Sequence, residues 1–369
     1  MKNIITINIE LAKNKILASL LADHTNGKVG AFKTVVGLQG GAGVGKSESI
    51  IQASKEYAER LGLEFVETTD PSDKQLGFSI IQCSNVTASD LAIPTPNADK
   101  TELNYAFNLE LLPRKGKGIL FVDELSQGDA DVQKLLMALI RQRSVNGYHL
   151  PKDWSIICAY NRVQDHAGAN AVLKTLTDRI TNKFNVEVDA GSWIKWASAN
   201  DVHPHVMAFI KADNRMLCTL HGADRNDIGS TPRTITMMSD EYHNIKNGFY
   251  KDVGISDKDI LASVVGDEVG TAFSTFLKLV KKLPSVSEII KNPDEVRVIE
   301  EGEDGCRALI TFGLANKVKS EKDFKNALVY LGKFEQSEYE SFFATALVSK
   351  RPELKETKTF TDLKLVNHL

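Results

Sequence analysis

The sequence predicts an α/β fold: a parallel sheet sandwiched between helices in the first half of the chain, then a small helical domain and a helical C-terminal region. Three observations point there. A short apolar run, Thr34 to Leu38, passes through Gly40-Gly41-Ala42-Gly43-Val44-Gly45-Lys46-Ser47 directly into an amphipathic helical pattern, the strand-loop-helix setting of a phosphate-binding loop. A second apolar run, Ile119 to Val122, ends in two adjacent carboxylates, Asp123 and Glu124, as a doubly buried strand does at the crevice of a parallel sheet. From Asp189 onward, helical patterns follow one another with no strand between them.

The loop residues suit the chemistry. Glycines let successive backbone N–H groups turn inward where a Cβ would block the approach, and a helix N-terminus adds partial positive charge. Lys46 is then placed to reach the β- and γ-phosphates of a nucleotide, and the Ser47 hydroxyl to ligate Mg²⁺. At the end of the second strand, Asp123 is expected to hold Mg²⁺ and Glu124 to polarise an attacking water.

Composition sets wider bounds. A chain of 369 residues has room for two or three domains, and 42% hydrophobic with 25% charged residues is ordinary for a globular protein. The formal charge of −3 argues against a chain built to coat nucleic acid. Cys83, Cys158, Cys218 and Cys306 are widely spaced, which suggests neither a disulfide framework nor a zinc site. His203-Pro204-His205 with Cys218 and His221 matches no standard metal spacing. With no secretory leader and no long apolar stretch, a cytoplasmic protein without a membrane span is expected.

In chain order, Ile9 to Leu21 has helical spacing, and the helix opening at Lys46 should stop at Gly62. Leu63 to Thr68 and Gly77 to Cys83 read as strands, and Thr87 to Lys100, with two prolines and no period, reads as an irregular insertion. Gln127 to Arg143 is a helix, after which Asn146-Gly147 between β-prone arms signals a hairpin. Ser155 to Tyr160 is another buried strand and delivers Asn161 to the crevice. Val172 to Ile180 is a helix bearing Arg179, and Lys183 to Val188 alternates as an edge strand. Thr231 and Pro232 open a helix as N-cap and first residue. Ile260 to Val280 reads as one long helix, Pro284 to Gly305 as a connection, and further helices run to a docked tail after Thr357.

Taken in order, GGAGVGKS, ILFVDE, the Asn161 strand end, Thr177-Asp178-Arg179 and Thr231-Pro232-Arg233 resemble the motif set of an AAA+ ATPase: Walker A, Walker B, sensor 1, arginine finger and sensor 2. The stretch from Val122 to Asn161 is similar to the MoxR and dynein-related branch, of bacterial or phage type, with a pre-sensor-1 hairpin at about 143–152 and a helix-2 insert at about 85–104. The resemblance spans about Leu20 to Asn244. It implies a P-loop NTPase αβα sandwich over 1–188, a helical lid over 189–246 and a helical region over 247–369. Asn161 would position the lytic water, Arg179 would act in trans on a neighbouring subunit's γ-phosphate, and Arg233 would contact phosphates in cis. A planar, permanently charged guanidinium suits those roles. Two departures from the branch's pattern, Arg162 after Asn161 and Ile180 after Arg179, leave Arg141, Arg143 and Arg162 as substitute fingers.

The expected activity is ATP hydrolysis with Mg²⁺, coupled to remodelling of a protein substrate or complex by a homo-oligomeric ring, a hexamer, with a von Willebrand factor A domain protein as the first partner to consider. A DNA-directed motor or loader is the alternative, leaving nucleic acid open as a target. A nucleotide-gated scaffold with little hydrolysis is a third reading, against which the Asp123-Glu124 pair speaks.

Overall fold

The computed structural model describes residues 4–162, 172–220, 228–300 and 302–367. The chain divides into two compact units, Met1–Glu187 and Val188–Leu369. The first runs through β1 (Ile5–Ile7), α1 (Ile9–Thr25), β2 (Val36–Gly40), α2 (Lys46–Arg60), β3 (Glu64–Glu67), β4 (Gln75–Gln82), α3 (Ala88–Leu91), β5 (Ala92–Pro96) and β6 (Leu103–Phe107). It continues with β7 (Lys117–Asp123), α4 (Ala130–Gln142), β8 (Ser144–Val145), β9 (Tyr148–His149), β10 (Asp153–Tyr160), α5 (Lys174–Thr177) and β11 (Asn182–Val186).

Among the described residues seven strands form one sheet in the order β1-β11-β2-β10-β7-β4-β3, every pair parallel. Side chains alternate between faces along each strand. Leu120 and Val122 of β7 join Ile156 and Cys158 of β10 in a buried cluster with Val132, Leu136 and Leu139 of α4. Ile119 and Phe121 therefore point to the opposite face, where α2 packs on β2, β7 and β10 and α1 packs on α2. Helices on both faces account for the continuous apolar runs of the central strands, since neither face meets water.

Local chemistry sets the element ends. Asp129 caps α4, its carboxylate accepting the N–H groups of Asp131 and Val132, so the helix begins later than the apolar pattern suggests. Asn146 (φ 49°) and Gly147 (φ 91°) make the tight turn of the β8–β9 hairpin.

Three expectations for this unit are corrected. The strand at Lys183 to Val188 is not an edge: β11 lies between β2 and β1, and β1 is the edge. The segment read as an irregular insertion is a short helix, α3, followed by the antiparallel pair β5–β6. Pro94 and Pro96 are tolerated because a two-stranded ribbon has free outer edges, where no N–H is needed. The helix expected over Val172 to Ile180 is the single turn of α5.

The second unit is helical among its described residues: α6 (Ala190–Ala199), α7 (Pro204–Ala212), α8 (Pro232–Lys246), α9 (Asp257–Val265), α10 (Asp267–Val280), α11 (Val286–Lys291), α12 (Asp304–Lys317), α13 (Glu321–Gly332), α14 (Ser337–Lys350) and α15 (Lys358–Asn367). One hydrophobic cluster extends from Trp193 to Leu363, so helices before and after Asn247 share a core. The long helix expected over Ile260 to Val280 is broken at Gly266, whose φ of 87° no helix accommodates. A Cβ there would lie 2.3 Å from the Ile228 carbonyl oxygen. No helix among the described residues is long and apolar enough to cross a membrane.

Candidate phosphate-binding site

Strand order decides which residues meet. With β2, β10 and β7 adjacent and parallel, their C-terminal ends open on one side of the sheet. There β2 releases Gly40 to Ser47, β7 releases Asp123 and Glu124, and β10 releases Asn161. A crevice at the carboxyl ends of parallel strands is the usual ligand position in such sheets.

The loop is tightly held. Gly40 opposes Val186 in the β2–β11 register. A Cβ on Gly40 would lie 2.5 Å from the Val186 carbonyl oxygen, so the strands can meet here only around a glycine. Gly45 is the N-cap residue of α2, in a left-handed conformation with φ 98°, and no side chain caps the helix. That leaves the positive end of a 15-residue helix directed at the loop.

Lys46 is buried, 7% exposed. Its ammonium donates to the carbonyls of Gly40 (2.9 Å) and Gly41 (2.7 Å) and to Asn161 Oδ1 (3.0 Å). Ser47 Oγ donates to Asp123 Oδ2 at 2.8 Å, while Asp123 Oδ1 accepts the Glu124 N–H at 2.8 Å. Burial pushes the Asp123 carboxyl above its ordinary value, against the two hydrogen bonds it accepts, and the Glu124 charge adds to the rise. A half-buried carboxylate whose charge burial disfavours even with Lys46 nearby, next to a hydroxyl, is a fitting site for a hard cation. Mg²⁺ takes oxygen ligands and commonly uses one or two protein groups, with phosphates and water completing its shell.

Glu124 has φ 50°, a conformation that costs a non-glycine residue about 1 kcal/mol or more and is typical of functional positions. Its carboxylate accepts hydrogen bonds from Ser84 Oγ and from Gln82 Nε2, the latter at 3.4 Å. Asn161 is nearly buried, and its N–H donates to Ser126 Oγ at 3.1 Å, with Ser126 fully buried. The Leu125 N–H donates to the Ala159 carbonyl at 3.0 Å, so the ends of β7 and β10 are fastened together just below the site.

Sequence reasoning missed Gln82, Ser84 and Ser126. Gln82 lies opposite Asp123 in the β4–β7 register, a pairing that becomes visible only once the strand order is known. Ser126 carried a weak signal, two residues beyond Glu124 on the turn that leaves the strand.

The arginines divide. Arg143 is buried at the C-terminal cap of α4 and donates to the Trp154 carbonyl, which removes it as a substitute finger. Arg162 donates to Asn185 Oδ1 at 3.2 Å and approaches Glu187 at 3.9 Å. Arg141 and Arg179 are exposed, Arg179 just after α5. Arg233 is exposed on the first turn of α8 in the second unit, behind the Thr231 cap whose hydroxyl accepts the Thr234 N–H at 3.2 Å. His221 lies outside the described residues. Among the described residues no group of three or more His, Cys, Asp or Glu is placed to hold a metal ion.

No protein-family model matches the chain, and no curated protein matches its sequence. Similar solved structures exist at low identity. A point mutant of Thermotoga maritima RuvB is 15% identical over 79% of this chain and 78% of its own, with a TM-score of 0.41. The T. maritima RuvB Holliday junction branch migration motor is 14% identical over 78% of this chain and 76% of its own, with a TM-score of 0.39. NtrX from Brucella abortus is 13% identical over 91% of this chain and 64% of its own, with a TM-score of 0.38. Likeness this distant carries no argument about activity, and the parallel sheet with its glycine-rich loop stands on its own geometry as a phosphate-loop α/β fold.

Proposed function

We propose that this chain is an AAA+ ATPase of the MoxR-like kind, which binds ATP with Mg²⁺ at Gly40 to Ser47 and hydrolyses it to remodel a protein target or complex. One observation carries the reading: Lys46, Ser47, Asp123, Glu124 and Asn161, scattered over more than a hundred residues, converge on one end of the sheet through direct hydrogen bonds. Each has a task. Lys46 exchanges its carbonyl partners for phosphate oxygens and neutralises charge developing on them. Ser47 and Asp123 would hold Mg²⁺, which would supply further charge neutralisation at the phosphates. Glu124 takes a proton from the attacking water, and Asn161, anchored by Ser126, orients that water.

The exposed Arg179 is free to meet a second subunit, which supports a ring, taken as a hexamer, in which it completes the neighbour's pocket. Arg233 is assigned to the phosphates of its own chain. A protein target, with a von Willebrand factor A domain protein as the first to try, is favoured over nucleic acid by the formal charge of −3. The test is ATP turnover at moderate salt with and without candidate partners. Stimulation by proteins captured on a Glu124→Gln variant supports the reading, and stimulation by single- or double-stranded DNA alone overturns the choice of target.

A further inference from the structure

A second cavity, independent of the loop, lies wholly within the helical unit. Its volume is about 300 Å³. It is lined by Val280, Leu283, Val286, Leu309 and Ile310 together with His203 and His205 from the start of α7. Gly313 of α12 keeps the space beside Val286 clear, since a Cβ there would lie 2.7 Å from Val286 Cγ2. Among the described residues no Asp, Glu, Lys or Arg lines the cavity.

The two imidazoles are fixed in place. The His203 N–H donates to Ser239 Oγ at 2.8 Å, and His203 Nδ1 accepts the His205 N–H at 3.0 Å. His205 Nδ1 is 2.9 Å from Tyr242 Oη. The His203 ring packs against His205 (4.6 Å between centroids), Tyr242 (4.6 Å) and His243 (5.0 Å). Burial, chiefly, holds His203 down to about 3 and His205 to about 4, with Lys246 disfavouring charge on both, so both rings are neutral at physiological pH. A neutral ring that accepts at Nδ1 carries its proton on Nε2. His203 Nε2–H is thus a donor in a set tautomer, with no hydrogen-bond partner among the described residues.

We propose that this cavity binds a small uncharged molecule with an apolar body of about two fused rings and one hydrogen-bond acceptor, which pairs with His203 Nε2–H. Size, charge and polarity each contribute. An apolar cavity of about 150 Å³ holds benzene, so twice that volume holds a bicyclic body. A charged ligand would be desolvated here with no counter-charge in the wall. A purely apolar ligand that displaced water from the half-buried His203 ring would leave the imidazole donor unpaired, whereas an acceptor satisfies it. An apolar pocket with a few fixed polar groups is the usual form of a small-molecule site.

Quinoline and naphthalene test this directly, because they share a shape and differ by one ring nitrogen. Titrations monitored by nuclear magnetic resonance on the full chain without nucleotide, at pH 7.5, should show saturable quinoline binding with perturbed His203 and His205 ring signals. Naphthalene should bind more weakly by about two- to ten-fold, the value of one neutral hydrogen bond. Leu309→Trp, which fills the cavity, should abolish binding of both. His203→Phe should bring quinoline down to the naphthalene level. Since His203 also caps α7, a misfolded His203→Phe protein would leave the decision to the wild-type ring signals and Leu309→Trp. Absence of saturable binding, equal affinity for the two probes, or binding that survives Leu309→Trp with unmoved histidine signals overturns the proposal.

Discussion

Replacing Gly40 with alanine is a demanding check on how the loop is held. The new Cβ would lie 2.5 Å from the Val186 carbonyl oxygen and 3.4 Å from its carbon, both backbone atoms that no rotamer change can move. Reaching an ordinary carbon–oxygen separation of about 3.3 Å requires β2 and β11 to part by about 0.8 Å. That stretches the ladder beyond hydrogen-bonding distance where Val186 opposes Gly40, and each lost bond costs about 0.5–1.5 kcal/mol. With the strain of overpacking, Gly40→Ala should lower stability by about 1–3 kcal/mol. It should also weaken ATP binding, because the phosphate loop between β2 and α2 moves with the strand. Gly41→Ala is the control: its Cβ meets only Val44 Cγ1 at 3.5 Å, an ordinary contact, so stability should stay within about 0.5 kcal/mol. Urea denaturation and ATP titration of both proteins read the difference. A Gly40→Ala protein as stable as Gly41→Ala would refute the close-approach account.

Other outcomes follow from the same geometry. Lys46→Ala should bind ATP too weakly to measure by calorimetry, and retained affinity would show that the nucleotide binds elsewhere. Arg179→Ala should be inactive alone yet recover part of its turnover when mixed with Lys46→Ala, since each lacks a different half of a shared pocket; a mixture as inactive as its components would remove the trans role. Stability should also fall in acid. His203 and His205 titrate at about 3 and 4 when folded but near 6.5 when unfolded, so below pH 6.5 the unfolded chain binds more protons and unfolding gains ground as pH drops towards 4. Thermal melts of His205→Asn should show a shallower decline over that window, and an unchanged pH slope would place the cause elsewhere.

Much of the site was legible in the sequence because its parts are local. Glycines that admit unusual backbone angles, a lysine and serine opening a helix, and an apolar run ending in Asp123 and Glu124 each declare their chemistry within a few neighbours. Asn146-Gly147 did the same for the hairpin. What escaped was nonlocal. The three residues of β1 are too few to show a period, so nothing marked β11 as interior until β1 paired with it. Pro94 and Pro96 read as a break because single-sequence patterning cannot see that β5 belongs to an isolated ribbon. The apolar rhythm of α9 and α10 ran through Gly266, and only the close Ile228 carbonyl explains the interruption. Gln82 and Ser84 reached Glu124 through strand order, and Ser126 reached Asn161 through the fastening of two strand ends.

The account rests most heavily on hydrolysis at Glu124. Glutamine keeps the shape of the side chain and an oxygen to accept from Ser84, while removing the base. The decisive measurement is single-turnover cleavage of radiolabelled ATP with Mg²⁺ by wild-type and Glu124→Gln proteins, alongside nucleotide affinity. Binding should be retained and cleavage should fall by about 10²–10⁴-fold, the usual contribution of a general base. Cleavage by Glu124→Gln at the wild-type rate would contradict the assignment of Glu124 as that base.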